Sequence, residues 1–150
     1  MKINRDTENK IFDNANEVFL LKGYCGVTMD DIACRAKVNK AALYYYFRSK
    51  KKLYAIALKF NLEILSDSLK KYDFGVNNQF NTPMDINIQH VVWFIVSELK
   101  VNSLIITEII KEDANINDLL YFIFNAKNCK ILEKFITTQF DEIVTQILQR

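Results

Sequence analysis

The chain has 150 residues, half of them hydrophobic, with 20 Lys and Arg against 18 Asp and Glu. This composition excludes disordered, collagen-like and disulfide-rich classes of protein. Because it has only three Gly and one Pro, the chain lacks the residues for the frequent turns of an all-β protein, and we expect an all-α fold. Its three cysteines form no C-x-x-C pair, and their odd number argues against a disulfide framework.

No segment is typical of export or of membrane insertion. The N-terminus has no apolar stretch behind a basic start, which a secretory signal needs. The most apolar stretch, residues 91–96, is soon followed by polar and charged residues. It is far shorter than the roughly 20 residues that cross a bilayer. We therefore expect a soluble, cytoplasmic protein that does not contact membranes.

Positive charge is concentrated in the N-terminal third. Residues 1–54 hold 11 Lys and Arg against 6 Asp and Glu, a net charge of +5, whereas residues 55–150 hold 9 against 12, a net charge of −3. A basic third is typical of a surface that neutralises nucleic-acid phosphates, although it could equally be a solubilising face. The spacing of the residues must decide between these two interpretations.

Three helices are predicted in the first 47 residues. Apolar residues at spacings of three and four predict an amphipathic helix over residues 6–22, which Gly23 ends. Thr28 begins a capping box and predicts a second, short helix that breaks at residues 37–38. Asn39 is a good N-cap for a third helix. The tight turn between the second and third helices is typical of a helix-turn-helix, whose later helix enters the DNA major groove.

The remainder of the chain is predicted to be helical. Ser49 caps a fourth helix that runs to about residue 72. Residues 74–83 are the clearest linker in the chain. Further helices are expected over residues 84–111 with a kink near 102–103, over 116–124 and over 129–148, separated by a turn at 112–115 and an interruption at 125–128.

The third helix has one face predicted to point outward and one predicted to pack inward. Leu43 and Phe47, four residues apart, are expected to hold it against the first two helices. A small side chain at position 41 lets the backbone approach the bases and can contact a thymine methyl group. The residues expected to face DNA are Lys40, Ala41, Tyr44 and Tyr45.

Lys50, Lys51 and Lys52 lie in the first turn of the fourth helix. Cations are unfavourable there, because each one opposes the helix dipole by about 0.3 to 1 kcal/mol. A bound phosphate would contact both these lysines and the unpaired amides of the helix start. The cluster therefore favours an anionic partner over the alternative of a merely solvated charge cluster.

Many positions between about residues 8 and 54 match one family pattern at fixed spacing. They are Ile11, Ala15, Phe19, Gly23, Tyr24, Thr28, Ile32, Ala33, Ala36, Val38, the run 40–50 and Leu53. This third of the chain resembles the DNA-binding domain of TetR-type transcriptional repressors. The resemblance implies that Thr28, Tyr44, Tyr46 and Lys50 contact phosphates and that Lys40, Ala41 and Tyr45 approach bases. Asn39, at the start of the same helix, is a further candidate for DNA contact.

The chain departs from this family at several positions and in length. Tyr46 stands where histidine is frequent, which preserves a hydrogen bond to phosphate. Lys51 and Lys52 replace the usual acidic residues, so this chain is expected to hold DNA more by charge. Family members usually extend by two further helices that pack between subunits, whereas this chain reaches Arg150. Either the C-terminus has been lost or dimerisation uses other helices, and we expect residues 129–148 to form a homodimer contact.

The resemblance also implies that the second domain binds a small-molecule effector. Candidate residues are those where polar groups interrupt an apolar surface, and aromatic residues near them. For each one the competing interpretation is an ordinary core residue. The candidates are His90, Trp93, Ser97, Glu98, Tyr121 and Phe122.

No catalytic constellation appears in the sequence. It has one His, no Gly-rich phosphate loop, no H-E-x-x-H motif and no paired cysteines with metal-ligand spacing. Paired carboxylates such as Glu112–Asp113 and Asp141–Glu142 lie on polar segments. We therefore expect no enzyme, no cofactor and no metal.

The sequence thus predicts a transcriptional regulator, most simply a repressor, with a helix-turn-helix domain at residues 1–48 and a helical effector-binding and dimerisation domain at residues 49–150. A homodimer would bind double-stranded DNA at a pseudo-palindromic operator. The effector would change the spacing of its two DNA-binding domains through the fourth helix. The alternative is a truncated interaction protein that pairs with a longer relative and blocks it. A stable homodimer favours the repressor, and a monomer favours the alternative.

Overall fold

The computed structural model describes residues 4–73 and 86–133, and within these ranges it is all-α, as predicted. The chain divides into two compact units, an N-terminal unit of residues 1–59 and a C-terminal unit of residues 60–150. The described helices are α1 (Arg5–Lys22), α2 (Met29–Ala36), α3 (Lys40–Tyr46), α4 (Lys50–Asp73), α5 (Ile86–Val101), α6 (Ser103–Glu112), α7 (Ala114–Ile123) and α8 (Ala126–Glu133). None of them is both long and apolar enough to cross a bilayer.

The core of the N-terminal unit is built from the apolar faces of its four helices. Leu43 is the fully buried residue of α3, and Phe47, just after that helix, is also buried. The inward packing predicted for these two residues is therefore confirmed. The other buried apolar side chains are Ile11, Ala15, Val18 and Phe19 of α1, Val27 before α2, Met29, Ile32, Ala33 and Ala36 of α2, and Leu53, Tyr54, Ala57 and Leu58 of α4.

Each helix of the N-terminal unit begins with a side-chain cap. The Thr28 hydroxyl accepts from the Asp31 amide at 3.1 Å, and the Asp31 carboxylate accepts from the Thr28 amide at 3.0 Å, which confirms the capping box. Asn39 accepts from the Ala42 amide at 2.7 Å, and Ser49 accepts from the Lys52 amide at 3.1 Å. Asn4 caps α1 through the Asp6 amide at 3.0 Å. These caps satisfy amides that have no partner inside a helix.

The turn between α2 and α3 is set by backbone hydrogen bonds at the end of α2. The Val38 amide donates to the Ala33 carbonyl at 3.0 Å, and the Lys37 amide donates to the Cys34 carbonyl at 3.2 Å. This pair of bonds is the Schellman motif, in which the residue after the helix is left-handed. Lys37 occupies that position with φ 56°. The predicted break at residues 37–38 is therefore confirmed, and it fixes the direction in which α3 leaves α2.

The turn between α1 and α2 depends on two glycines. Gly23 ends α1 with φ 71°, a backbone conformation that favours glycine. A Cβ atom at Gly26 would lie 2.5 Å from the Lys22 carbonyl oxygen. No side chain fits at Gly26 without a shift of the backbone.

In the C-terminal unit, the single kinked helix predicted over residues 84–111 is wrong, because two helices occupy its described part. α5 ends at Val101 and α6 begins at Ser103. The Asn102 side chain makes no capping bond to α6 and instead donates to the carboxylate of Glu98, where both residues are buried. The Asn102 backbone has φ −115° and ψ 35°, outside the helical range, so the helix is interrupted at this residue.

The two predicted interruptions after α6 are shorter than expected. Asp113 alone separates α6 from α7, and its carboxylate caps α7 through the Asn115 amide at 3.0 Å. Asn125 caps α8 through the Asn128 amide at 2.9 Å, so that helix begins at Ala126 rather than at 129. The predicted linker at 74–83, and the part of the predicted 129–148 helix beyond 133, lie outside the described residues.

Candidate nucleic-acid interface

One face of α3 is open to solvent along its length. Lys40 and Ala41 are exposed at its start, and Tyr44 and Tyr45 are each 42% exposed in its later turn. Because Leu43 is buried on the other side, these four residues form a polar and aromatic surface on a helix whose position is fixed by the core. A helix of this kind can lie in a DNA major groove.

Lys40 and Asp30 form an ion pair between the first turns of α3 and α2. The Lys40 ammonium lies 3.0 Å from a carboxylate oxygen of Asp30. The hydrogen bond and the negative charge of Asp30 raise the pKa of Lys40 above its ordinary value of 10.5. Asp30 was not among the site residues predicted from the sequence, because the pair depends on how the turn brings α2 and α3 together.

Thr28 is exposed at the start of α2, the position from which a helix-turn-helix contacts the DNA backbone. Its hydroxyl is held by the capping box. Hydrogen bonding with Thr28, and to a smaller extent the charge of Lys22, lowers the pKa of Asp31 below its ordinary value of 3.8. The capping box therefore fixes both the side chain of Thr28 and the amides of the first turn.

Tyr46 links the end of α3 to the start of α1. Its hydroxyl accepts a hydrogen bond from the Asn4 amide at 2.8 Å, across 42 residues of sequence. Its ring meets the Tyr45 ring edge-on, with 5.1 Å between the centroids. Tyr46 is half-buried, so the two tyrosines form one continuous surface from the exposed face of α3 to the beginning of α1.

Lys50 and a set of aromatic rings join the start of α4 to the turn after α1. The Lys50 ammonium lies 4.2 Å from the centroid of the Tyr24 ring, in the geometry of a cation–π contact. Tyr24 meets Tyr54 edge-on at 4.8 Å, and Tyr54 meets Phe19 at 5.3 Å. Since Phe19 and Tyr54 are fully buried, the basic start of α4 is anchored to the core of the N-terminal unit.

The six candidate effector residues do not share one environment in the C-terminal unit. His90, Trp93 and Ser97 are exposed on one face of α5, whereas Glu98 is buried and bonded to Asn102. Tyr121 of α7 is exposed, and Phe122 is half-buried, with the Lys70 ammonium 5.5 Å from its ring centroid. Of the six, Glu98 is the buried polar group.

The described ranges contain no group of three or more His, Cys, Asp or Glu side chains placed to hold a metal ion. Of the cysteines, Cys25 and Cys34 are exposed, and Cys129 is buried. The Cys129 thiol lies 3.2 Å from the Phe124 carbonyl oxygen.

Comparison with known proteins shows what the N-terminal unit is similar to. The family model described as "Bacterial regulatory proteins, tetR family" matches residues 11–56, which include α2, α3 and the turn between them. Residues 11–56 of this chain are therefore similar to the DNA-binding domain of TetR-family regulators. The TetR-type helix-turn-helix predicted from the sequence is thereby confirmed.

Two curated relatives share this TetR-family domain. The biofilm operon icaADBC HTH-type negative transcriptional regulator IcaR of Staphylococcus aureus (strain Newman) is 38% identical over 88 residues, 59% of this chain and 45% of IcaR. IcaR of Staphylococcus epidermidis (strain ATCC 35984) is 45% identical over 47 residues, 31% of this chain and 25% of that protein. The match spans less than half the length of these relatives. A crystal structure of a TetR family transcription regulator from Shewanella sp. PV-4 aligns with 93% of this chain and 78% of that chain, at 14% identity and a TM-score of 0.44.

Proposed function

We propose that this protein is a DNA-binding transcriptional repressor. The observation that carries the proposal is the exposed face of α3, where Lys40, Ala41, Tyr44 and Tyr45 stand on a helix fixed by the core of a TetR-family domain. IcaR is named as a negative transcriptional regulator, which supports the same direction of control. The excess of positive charge in residues 1–54 favours the phosphate backbone as the partner.

The contacts divide into those that read sequence and those that hold the backbone. Lys40, Ala41 and Tyr45 would approach base edges, since they lie on the exposed face of α3. Asn39 is exposed at the start of the same helix and would lie beside them. The residues proposed to hold phosphates are Thr28, Tyr44, Tyr46 and Lys50, which are distributed over the starts of α2 and α4 and along α3.

The rest of the chain, residues 49–150, is proposed to bind an effector and to form a homodimer. A dimer would place two DNA-binding domains, residues 1–48 of each chain, on half-sites of a pseudo-palindromic operator. α4 contributes residues to both compact units, so it is the element through which an effector would act. We place this regulator in the cytoplasm, with no catalytic role.

Salt dependence of DNA binding tests the proposal. The logarithm of affinity for a duplex, measured by fluorescence anisotropy, is expected to fall linearly with the logarithm of salt concentration, with a slope of about −0.9 for each phosphate neutralised. Lys50→Ala should weaken binding to all sequences alike and reduce the slope by about one phosphate. Lys100→Ala, which removes an exposed cation from α5, is the matched control and should change neither quantity.

Two results would contradict the proposal. The first is an affinity that does not depend on salt, and the second is the same loss of affinity in Lys50→Ala and in Lys100→Ala. Sedimentation velocity on the same samples measures the oligomeric state. A monomer would remove the two-half-site arrangement and would favour a chain that acts by pairing with another protein.

A further inference from the structure

The ion pair between Asp30 and Lys40 is highly exposed and lies where the helix-turn-helix faces DNA. The Lys40 side chain is 58% exposed and the Asp30 side chain is 71% exposed. Ion pairs as exposed as this contribute little to folding, typically between zero and about 1 kcal/mol. Both members lie in the first turn of their helices, at the end of the helix-turn-helix that faces DNA. The pair therefore adds little to folding, and both of its side chains are accessible to a partner.

A carboxylate at this end of the motif is unfavourable for holding the DNA backbone. The Asp30 carboxylate repels phosphates. It also pairs with the Lys40 ammonium, which could otherwise bind a phosphate. Base edges differ from phosphates because they present hydrogen-bond donors as well as acceptors. Aspartate accepts from the N4 amino group of cytosine, and lysine donates to O6 and N7 of guanine. The two side chains thus suit the two bases of one G·C pair.

The spacing of the two groups also matches that base pair. Guanine O6 and cytosine N4 are hydrogen-bonded to each other, so they lie about 2.9 Å apart in the major groove. The Lys40 ammonium and the Asp30 carboxylate oxygen are 3.0 Å apart. A donor and an acceptor held at this separation can meet O6 and N4 at the same time without breaking their own ion pair.

An A·T pair offers a poorer match. It also places a donor, adenine N6, beside an acceptor, thymine O4. The Asp30 carboxylate would then lie next to the lone pair of adenine N7, and the Lys40 ammonium would lie next to the thymine methyl group. In a G·C pair, by contrast, Lys40 gains guanine N7 as a second acceptor, and cytosine has no methyl group.

We propose that Asp30 and Lys40 act together to read one G·C base pair in each operator half-site, with Lys40 donating to guanine O6 and N7 and Asp30 accepting from cytosine N4. This proposal rests on the proposed DNA-binding function. It makes Asp30 a specificity-determining residue, although its charge opposes binding to the backbone. Removal of Asp30 should therefore lower discrimination and raise affinity for unrelated DNA, whereas loss of a merely structural contact would lower both.

The test begins with the full chain and a randomised duplex, from which the preferred operator is selected. Each base pair of that operator is then changed in turn. For the wild type, replacing one particular G·C pair by A·T or by C·G should reduce affinity roughly tenfold. In Asp30→Ala this discrimination should largely disappear at that base pair alone, and affinity for a random duplex should rise. Lys40→Ala should lose discrimination at the same base pair.

Glu17→Ala is the matched control. It breaks the exposed ion pair between Glu17 and Arg35, which joins α1 and α2 at 2.7 Å, and it removes the same charge. It should leave the base preference unchanged. Thermal unfolding of Asp30→Ala and Glu17→Ala shows whether each variant remains folded. Asp30→Glu keeps the charge on a longer side chain and should retain part of the base discrimination.

The outcomes separate this inference from the function on which it rests. If the wild type selects no sequence, both fail. If the wild type selects an operator but Asp30→Ala keeps every preference, or loses affinity for all sequences equally, the inference alone fails. It also fails if Glu17→Ala changes the same base preference, or if Asp30→Ala and Lys40→Ala affect different base pairs.

Discussion

The N-terminal and C-terminal units differ in charge and in the burial of their polar side chains. Residues 1–59 carry 12 Lys and Arg against 6 Asp and Glu, whereas residues 60–150 carry 8 against 12. In the N-terminal unit the polar side chains cap helices or form ion pairs at the surface. In the C-terminal unit Glu98, Asn102 and Asn128 are buried, while Leu104 is 81% exposed. The polar contacts named for the first unit therefore lie at its surface, whereas the second unit also holds polar side chains in its interior.

The largest predicted loss of stability comes from a substitution in the aromatic core of the N-terminal unit. Tyr54→Ala removes a fully buried ring that meets both Phe19 and Tyr24, and should lower the free energy of unfolding by roughly 3 to 5 kcal/mol. Tyr121→Ala removes the same side chain from an exposed position and should change it by no more than about 0.5 kcal/mol. Urea unfolding followed by circular dichroism measures both. Equal losses would show that burial does not distinguish these two tyrosines.

The buried pair of the C-terminal unit should give an intermediate effect. Asn102→Ala removes a hydrogen bond to the Glu98 carboxylate, which stays buried, and should cost about 1 to 3 kcal/mol. Ser97→Ala, on the exposed face of the same helix, should be close to neutral. The single tryptophan, Trp93, lies in this unit, so its fluorescence during urea unfolding reports the loss. An unchanged midpoint in Asn102→Ala would mean that the pair does not stabilise the unit.

The capping box of α2 should give the smallest effect, visible as a dependence on pH. The pKa of Asp31 is lower in the folded chain than its ordinary value of 3.8, because of its hydrogen bonding with Thr28. Its contribution to stability is therefore present above pH 3.8 and is lost as the pH falls through the folded pKa. Asp31→Asn should flatten this acid limb of the melting temperature.

The Thr28→Val variant provides the control for that measurement. It removes the hydroxyl that bonds to Asp31 and should flatten the acid limb in part. The stability contribution of Lys40 depends on pH in the opposite direction, because Asp30 raises the pKa of Lys40 above 10.5. The contribution of Lys40 is present below that pH and is lost as the pH rises through the folded pKa. An acid limb that is unchanged in Asp31→Asn would contradict the assignment.

Features that depend on a few neighbouring residues could be predicted from the sequence. The caps at Thr28, Asn39 and Ser49, the break at residues 37–38 and the burial of Leu43 all follow from spacing within one or two helical turns. The break at Asn102 was predicted only as a kink, because it consists of non-helical backbone angles at one residue, φ −115° and ψ 35°. Periodicity describes which face of a helix is apolar, but it does not describe the backbone angles of a single residue.

Contacts between residues distant in sequence could not be predicted in this way. The pairs Lys40–Asp30, Tyr46–Asn4 and Lys50–Tyr24 each require the turns to bring separate helices together. The sequence predicted Lys40, Tyr46 and Lys50 as candidates for DNA contact, but it gave no partner for any of them within the protein. Those partners orient the side chains of Lys40, Tyr46 and Lys50 before DNA binds. The base contact of Lys40 and the phosphate contacts of Tyr46 and Lys50 are predictions.

The hydrogen bond from the Asn4 amide to the Tyr46 hydroxyl makes the beginning of the sequence sensitive to the end of α3. If α3 moves when it enters a groove, this bond lengthens and the Asn4 amide exchanges its hydrogen with solvent more quickly. If DNA holds α3 in place, exchange slows. The exchange rate of the Asn4 amide therefore reports whether α3 has bound DNA. It can be measured by deuterium exchange or nuclear magnetic resonance, without a label on the nucleic acid.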